Sequence, residues 1–336
     1  MIPPSLPRVE SPSWQRALAD AVTEPAELLR LLQLDPGQSL PAHWPGAAFP
    51  LRVPRYFVGL MRPGDPADPL LLQVLPQAAE DVPVDGFVDD PVGDLDAVRD
   101  QGLLQKYRGR ALMIATGACA VHCRYCFRRH FPYAEHNVLR GWTKAFRQLT
   151  DMHDTTELIL SGGDPLSLSD ARLDELLRGL ERVPQLQTLR IHTRLPVVLP
   201  SRVTPQLVDR LSDSRLQTVL VIHANHPHEI TAELGAALGG LAAGGTLLLN
   251  QSVLLKSVND DADTLATLSA SLLRIGVLPY YLHLLDPVAG AAHFAVATAT
   301  AERLAEALRL RLPGYLVPRL VREVPGAPYK VPLMPR

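Results

Sequence analysis

From about residue 105 the apolar positions gather into short unbroken runs of the kind that become buried strands, and helically spaced stretches lie between them. The runs begin near Ala111, Thr155, Gln187, Leu216, Thr246 and Val277. After a first, longer step they recur at intervals of about 30 residues, the length of a βα unit. Amphipathic stretches at Ala171–Val183, Pro205–Ser212 and Asp261–Ile275 fill gaps between them. Thr204 followed by Pro205 is a good helix start, because the hydroxyl accepts from the first turn and the proline has no N–H to leave unpaired. Alternating strands and helices predict a parallel sheet of the α/β class. Six units make a partial (βα)6 TIM-type barrel, and a doubly wound sheet fits the rhythm as well. Either layout puts functional side chains at the carboxyl ends of the strands.

The first hundred residues follow another pattern. They are proline-rich, with a helix expected from near Pro12 and Ser13 under a Ser11 cap, and a second from Pro25 to Leu34. A loop with Pro41, Pro45 and Pro50 follows, and the acidic stretch Asp81–Asp96 reads as a connector. The expected division is a mainly helical extension over 1–104, the barrel over 105–312 and a C-terminal segment over 313–336.

Composition narrows the functions. Hydrophobic residues make up 47% and charged residues 20%, and the formal net charge is −2. Neither nucleic acid nor an anionic membrane is expected to attract such a chain. No apolar run approaches the roughly 20 residues that span a bilayer, and Met1-Ile2-Pro3-Pro4 lacks the regions of a secretory signal. A cytoplasmic protein is expected. Its three cysteines all lie within Cys119–Cys126, which makes no disulfide framework and points to metal binding or redox chemistry.

The segment Gly117-Ala118-Cys119-Ala120-Val121-His122-Cys123-Arg124-Tyr125-Cys126 directly follows the first strand-like run. Three thiolates on one loop can hold three irons of a [4Fe–4S] cube and leave the fourth open. Zinc competes, with His122 or His130 as a fourth ligand, although the loop offers no second paired half. Buried cysteines without function are a further alternative. After the second run comes Ser161-Gly162-Gly163-Asp164-Pro165, in isolation an ordinary turn. Its glycines admit close backbone approach, and Asp164 can neutralise an ammonium. Near the end, Pro325-Gly326-Ala327-Pro328-Tyr329-Lys330-Val331-Pro332 sets a lysine in a Gly/Pro-rich loop.

The C-x3-C-x2-C spacing on the loop after the first strand resembles the radical S-adenosylmethionine (SAM) signature. In that family three cysteines hold a [4Fe–4S] cluster whose open iron chelates SAM. One electron then yields a 5'-deoxyadenosyl radical. Gly162, Gly163 and Asp164 match the family's glycine-rich turn. The resemblance narrows with Phe127-Arg128-Arg129, Asn250-Gln251-Ser252-Val253-Leu254-Leu255 and the Lys330 loop, which together are similar to lysine 2,3-aminomutases. Cys123 to Tyr133, Leu51-Arg52-Val53-Pro54-Arg55 and Gly314-Tyr315-Leu316-Val317-Pro318 resemble the branch that makes β-lysine for elongation factor P. The likeness runs from about Trp14 to Pro332 and makes the N-terminal third a family segment.

What the resemblance implies is specific. Cys119, Cys123 and Cys126 ligate the cluster. Lys330 is catalytic and forms the Schiff base with pyridoxal 5'-phosphate (PLP), with the C-terminal segment packed on the barrel. Tyr107 and Arg110 lie around PLP and its phosphate. Asn250, Gln251 and His223 line the cofactor cavity, and His192-Thr193-Arg194, at the end of the third strand, is expected to face it. Arg128 binds the substrate carboxylate, while Asp286 and Glu323 face the ε-ammonium of L-lysine. Glutamate at 323 departs from the aspartate general in the family's lysine enzymes. Two acids there argue against glutamate as substrate. The implied partners are a flavodoxin or ferredoxin-type electron donor and, for the use of β-lysine, elongation factor P and its lysyl-tRNA-synthetase-like ligase. A degradative aminomutase is the alternative use, and a non-catalytic zinc-binding module the alternative of another class. Clostridial-type relatives carry extra C-terminal cysteines that bind zinc between subunits. This chain has none, so that site is not expected.

Overall fold

A computed structural model describes residues 13–35, 49–100, 102–135 and 142–333. Its sheet begins with an antiparallel pair, β1 (Val98–Asp100) and β2 (Leu103–Leu104). β2 runs antiparallel to β3 (Arg110–Thr116). From there the sheet is parallel through β4 (Glu157–Gly162), β5 (Thr188–Thr193), β6 (Gln217–Ile222), β7 (Leu247–Leu254), β8 (Leu278–Leu284) and β9 (Arg319–Arg322). β10 (Val331–Pro332) returns antiparallel to β9.

Neighbours in the sheet are neighbours in the chain across all ten strands. A doubly wound sheet needs a point where strand order reverses, and the described strands have none. The fold is the partial barrel, with β3–β8 in the places of the six apolar runs. β1 and β2 come from the N-terminal extension, and β9 and β10 from the C-terminal segment, so backbone hydrogen bonds join both flanks to the barrel wall.

The return helices lie outside the sheet, and the same device starts four of them. Ser169 caps Asp170–Leu180, Thr204 caps Pro205–Ser212, Thr231 caps Ala232–Ala243 and Asp261 caps Ala262–Arg274. Each side-chain oxygen accepts an otherwise orphaned N–H, a contact worth about 1 kcal/mol. The apolar faces of these helices close on the outward side chains of the strands. Leu173, Leu176, Leu177 and Leu180 join Leu158, Leu160, Leu189 and Ile191 in one buried cluster.

In the extension, helices span Trp14–Ala19 and Pro25–Leu31. The second stops short of Leu34 because Gln33 takes φ 57°, the left-handed conformation that ends a helix. The expected Ser11 cap, the helix start at Pro12, and Pro41 and Pro45 lie outside the described residues. Among the described residues no helix is long and apolar enough to cross a membrane.

Candidate functional site

Alternation along the strands fills the barrel interior with polar groups. Residues two apart share a face, so Arg190 and His192 on β5 and Tyr281 and His283 on β8 turn inward together with Arg110 on β3 and Gln251 on β7. The interior holds two chambers. One, of about 320 Å³, is lined by Cys119, Cys123, Cys126, Gly162, Gly163 and Arg194. The other, of about 210 Å³, is lined by Lys330, Glu323, Tyr107, Arg110, Tyr281 and His283. They share a wall that includes Arg128, Ser161, His192, His223, Gln251 and Asp286.

The cysteine loop is held from two sides. The N-terminal extension grips it where Arg124, fully buried, pairs with Glu80, which also takes Arg129 at 2.7 Å. Gln73 O accepts from Arg124 N at 2.9 Å, and Arg52 O from His122 N at 3.0 Å. From the barrel, Gly163 N donates to Thr116 O at 2.7 Å and Asp164 N to Ala118 O at 2.8 Å. Only glycine fits there: a Cβ on Gly163 would stand 2.3 Å from Ala118 O, and Gly162 has φ +117°. Burial, and after it the neighbouring thiols, pushes Cys119 well up and Cys126 to about 11. Such thiols ionise only when a cation is brought to them, as iron would be.

The candidate zinc ligands are engaged elsewhere. His122 Nδ1 lies 2.8 Å from Pro50 O, with its ring stacked on Phe49. His130 Nε2 lies 3.1 Å from Ala289 O. Among the described residues no three His, Cys, Asp or Glu side chains gather as they would around one ion.

In the second chamber Lys330 Nζ pairs with Glu323 Oε2, and Tyr107 donates to Glu323 Oε1 at 2.7 Å. Burial alone would push the Glu323 carboxyl up, but Lys330 and then Lys106 hold it below its usual range. Lys106 bridges onward to Asp94 at 2.7 Å, and Asp94 accepts from Arg128 Nε at 2.6 Å. Arg128 Nη1 donates to Ser161 Oγ at 2.8 Å, so its fork is fixed in the shared wall. Arg110 lies 4.9 Å over the Tyr107 ring.

Among the described residues, the buried polar atoms of the interior without a hydrogen-bond partner include Arg110 Nε, Arg190 Nε, His192 Nε2, Arg194 Nε, His223 Nε2, Gln251 Oε1, His283 Nε2 and Asp286 Oδ1. Orphaned groups in such number are costly unless a polar ligand satisfies them. Burial, followed by nearby cations, keeps the imidazoles neutral, His223 at about 3. Burial raises Asp286 to about 7 even though Lys330 pulls it down. Cations for a phosphate, neutral donors and acceptors for a heterocycle, and a lysine amine stand together, as a bound pyridoxal phosphate requires.

Two expected cofactor contacts are bonded within the protein, and of these Asn250 lines neither chamber. Asn250 points away from the cavity, because it adjoins Gln251 in β7 and strand neighbours face opposite sides. Its amide is spent on Ala224 N at 2.9 Å, Ala224 O at 3.2 Å and Ser252 Oγ at 2.9 Å. Asp164 lines the cysteine chamber, with its carboxylate engaged by the protein. Its carboxylate accepts from Thr193 Oγ1 at 2.6 Å, Arg194 N at 2.8 Å, Leu195 N at 2.9 Å and Leu166 N at 3.0 Å, and so ties two loops together. Sequence reasoning missed Asp94, Lys106, Arg190, Tyr281 and His283. The last three carry a legible signal, polar side chains at alternate positions in apolar strands.

Comparison with known proteins gives a consistent result. Residues 113–237 match the model of the Radical SAM superfamily. The chain is 49% identical to L-lysine 2,3-aminomutase of Escherichia coli (strain K12) over 95% of its length and 94% of that protein's. It is 46% identical to L-lysine 2,3-aminomutase of Haemophilus influenzae, covering 96% and 95%. Against L-lysine 2,3-aminomutase of Clostridium subterminale identity is 35%, over 85% of this chain and 69% of that one.

Proposed function

We propose that this chain, which belongs to the lysine 2,3-aminomutase family of radical SAM enzymes, carries out its reaction at the wall between its two chambers. The activity is that of an L-lysine 2,3-aminomutase, an isomerase that moves the amino group of L-lysine from C2 to C3 to give β-lysine, with a [4Fe–4S] cluster, SAM and PLP as cofactors. When bound, the cluster and SAM supply hydrogen-atom abstraction and PLP supplies a conjugated ring to carry the migrating nitrogen.

The observation that carries the assignment of residues is the shared wall. Cys119, Cys123 and Cys126 line one chamber and Lys330 the other, with Arg128 and Asp286 between them. The three cysteines would hold the cluster, and the missing side chains of Gly162 and Gly163 bring the second-strand turn against their loop. Lys330 would hold PLP, with Glu323 placed to keep its proton, and Arg110 and Tyr107 would take the phosphate. Gln251 and His223 face both chambers and offer unpaired atoms to either cofactor.

Arg128, locked by Asp94 and Ser161, presents the rest of its guanidinium to the substrate carboxylate. Asp286 is the free anion for the ε-ammonium. Glu323, paired with Lys330, would be the second acid near it. A neutral analogue would leave Asp286 buried and unpaired, which gives discrimination for lysine. The helices, the extension and the C-terminal strands flank the partial barrel and would limit the access of water to it.

The electron comes from an external one-electron donor of the flavodoxin or ferredoxin type, and the β-lysine serves elongation factor P through its lysyl-tRNA-synthetase-like ligase in the cytoplasm. The likeness of Cys123–Tyr133, Leu51–Arg55 and Gly314–Pro318 to that branch supports this use. Borohydride reduction of the PLP-loaded protein, followed by peptide mass mapping, tests the central assignment. The pyridoxyl group is expected on Lys330; its presence on another lysine would end it.

A further inference from the structure

Arg194 directly follows β5 and is 5% exposed. Its Nη1 donates to Cys123 Sγ at 2.7 Å. Its Nη2 donates to Glu229 Oε2 at 3.0 Å and to Gln73 Oε1 at 2.8 Å. Glu229 is fully buried, and its other oxygen accepts from Asn225 N at 2.9 Å, His226 N at 3.0 Å and Gln73 Nε2 at 3.2 Å. The guanidinium is therefore wedged between a sulfur and a carboxylate. Its positive charge lies on the sulfur side, and the compensating negative charge lies behind it.

We propose that Arg194 is a positioning residue that donates to the Cys123 sulfur and raises the reduction potential of the iron–sulfur cluster. The proposal rests on the assignment of the three cysteines to that cluster. Reduction adds one electron, taken from an external iron–sulfur or flavin donor, and takes the cube from the 2+ to the 1+ state. The added negative charge spreads onto the thiolate sulfurs. A hydrogen bond to one of them, and a cation beside it, stabilise the reduced form more than the oxidised one. In a buried site little solvent screens this effect.

Arginine suits the task better than lysine, since its planar fork serves the sulfur and Tyr125 Oη with one nitrogen and Glu229 and Gln73 with the other. Gln73 belongs to the N-terminal extension, immediately after the helix Pro69–Leu72. The extension thus holds a charge at the cluster as well as gripping its loop.

The test is redox titration of the reconstituted cluster, followed by electron paramagnetic resonance. Wild-type protein must first hold four irons and give a reduced-cluster signal; if it does not, the cluster assignment itself fails, whatever Arg194 does. Two variants follow. Arg194→Lys keeps the charge but loses the fork. Arg194→Gln combined with Glu229→Gln removes both charges, so that no buried carboxylate is left unpaired. The expected result is full iron content and a more negative midpoint. In the double variant reduction should be at least tenfold less favourable, about 59 mV for a one-electron couple, with Arg194→Lys in between. An unchanged or more positive midpoint at full iron content overturns the proposal. So does loss of iron from both variants while their circular dichroism and melting match wild type, which would make Arg194 an assembly determinant. If the double variant does not fold, the Arg194→Lys titration decides alone.

Discussion

Replacing Asp286 with asparagine should make the protein more stable and the enzyme worse. Asp286 Oδ1 is buried without a partner, and burial raises the carboxyl from 3.8 to about 7. The folded chain therefore keeps a proton that the unfolded chain has already lost between about pH 4 and pH 7. Stability falls as pH rises through that window, and the full cost, about 4 kcal/mol, is present above pH 7. Asparagine has no such titration. Urea unfolding of the cofactor-free proteins should show Asp286→Asn gaining on wild type by about 3 kcal/mol between pH 5 and pH 8. In the loaded enzyme the same change removes the anion that receives the lysine ε-ammonium. The expected loss in kcat/KM for lysine is a hundredfold or more, since breaking one side of a buried charge pair costs about 3 to 5 kcal/mol. A stability gap that does not change with pH, or a variant that keeps its kcat/KM for lysine, would refute the reasoning. The carboxylate is held in an unfavourable environment that the substrate relieves, a common exchange of stability for function.

Three other changes separate the parts of the site. Arg128→Lys keeps a charge but cannot bond Asp94 and Ser161 while presenting a fork to a carboxylate, so KM for lysine should rise about 10- to 100-fold at unchanged iron and PLP content. Gly163→Ala drives a methyl into Ala118 O, so iron bound after reconstitution should fall sharply while the circular dichroism of the barrel persists. Arg110→Gln should weaken PLP binding about 10- to 100-fold, the worth of one charge-assisted hydrogen bond, read by PLP fluorescence with iron content unchanged.

Much of the barrel is legible in the sequence, because a fully buried parallel strand must be an apolar run. All six starts fall within two residues of the observed strands, as with Gln187 against Thr188 and Thr246 against Leu247. The helix over Pro205–Ser212 is found to the residue, since Thr204 and Pro205 mark its start chemically. The site is less legible where function depends on contacts distant in the chain. Asp164 reads as a free acid in its own turn, but its partners Thr193, Arg194 and Leu195 come from the next strand's loop, about 30 residues on. Asp94 sits in a stretch that reads as an acidic connector, and only the fold brings it to Arg128 and Lys106. Asn250 misleads in another way: a motif named as a block hides the alternation that sends its neighbour Gln251 inward and Asn250 outward.

The central claim is best tested by product analysis. The protein is purified without oxygen, reconstituted with iron, sulfide and PLP, then given SAM, dithionite and L-lysine, and the amino acids are separated and weighed by mass spectrometry. A brown protein that converts lysine to β-lysine, and stops doing so when Lys330 is alanine, is the predicted result. A brown protein that cleaves SAM and returns the lysine unchanged would contradict it.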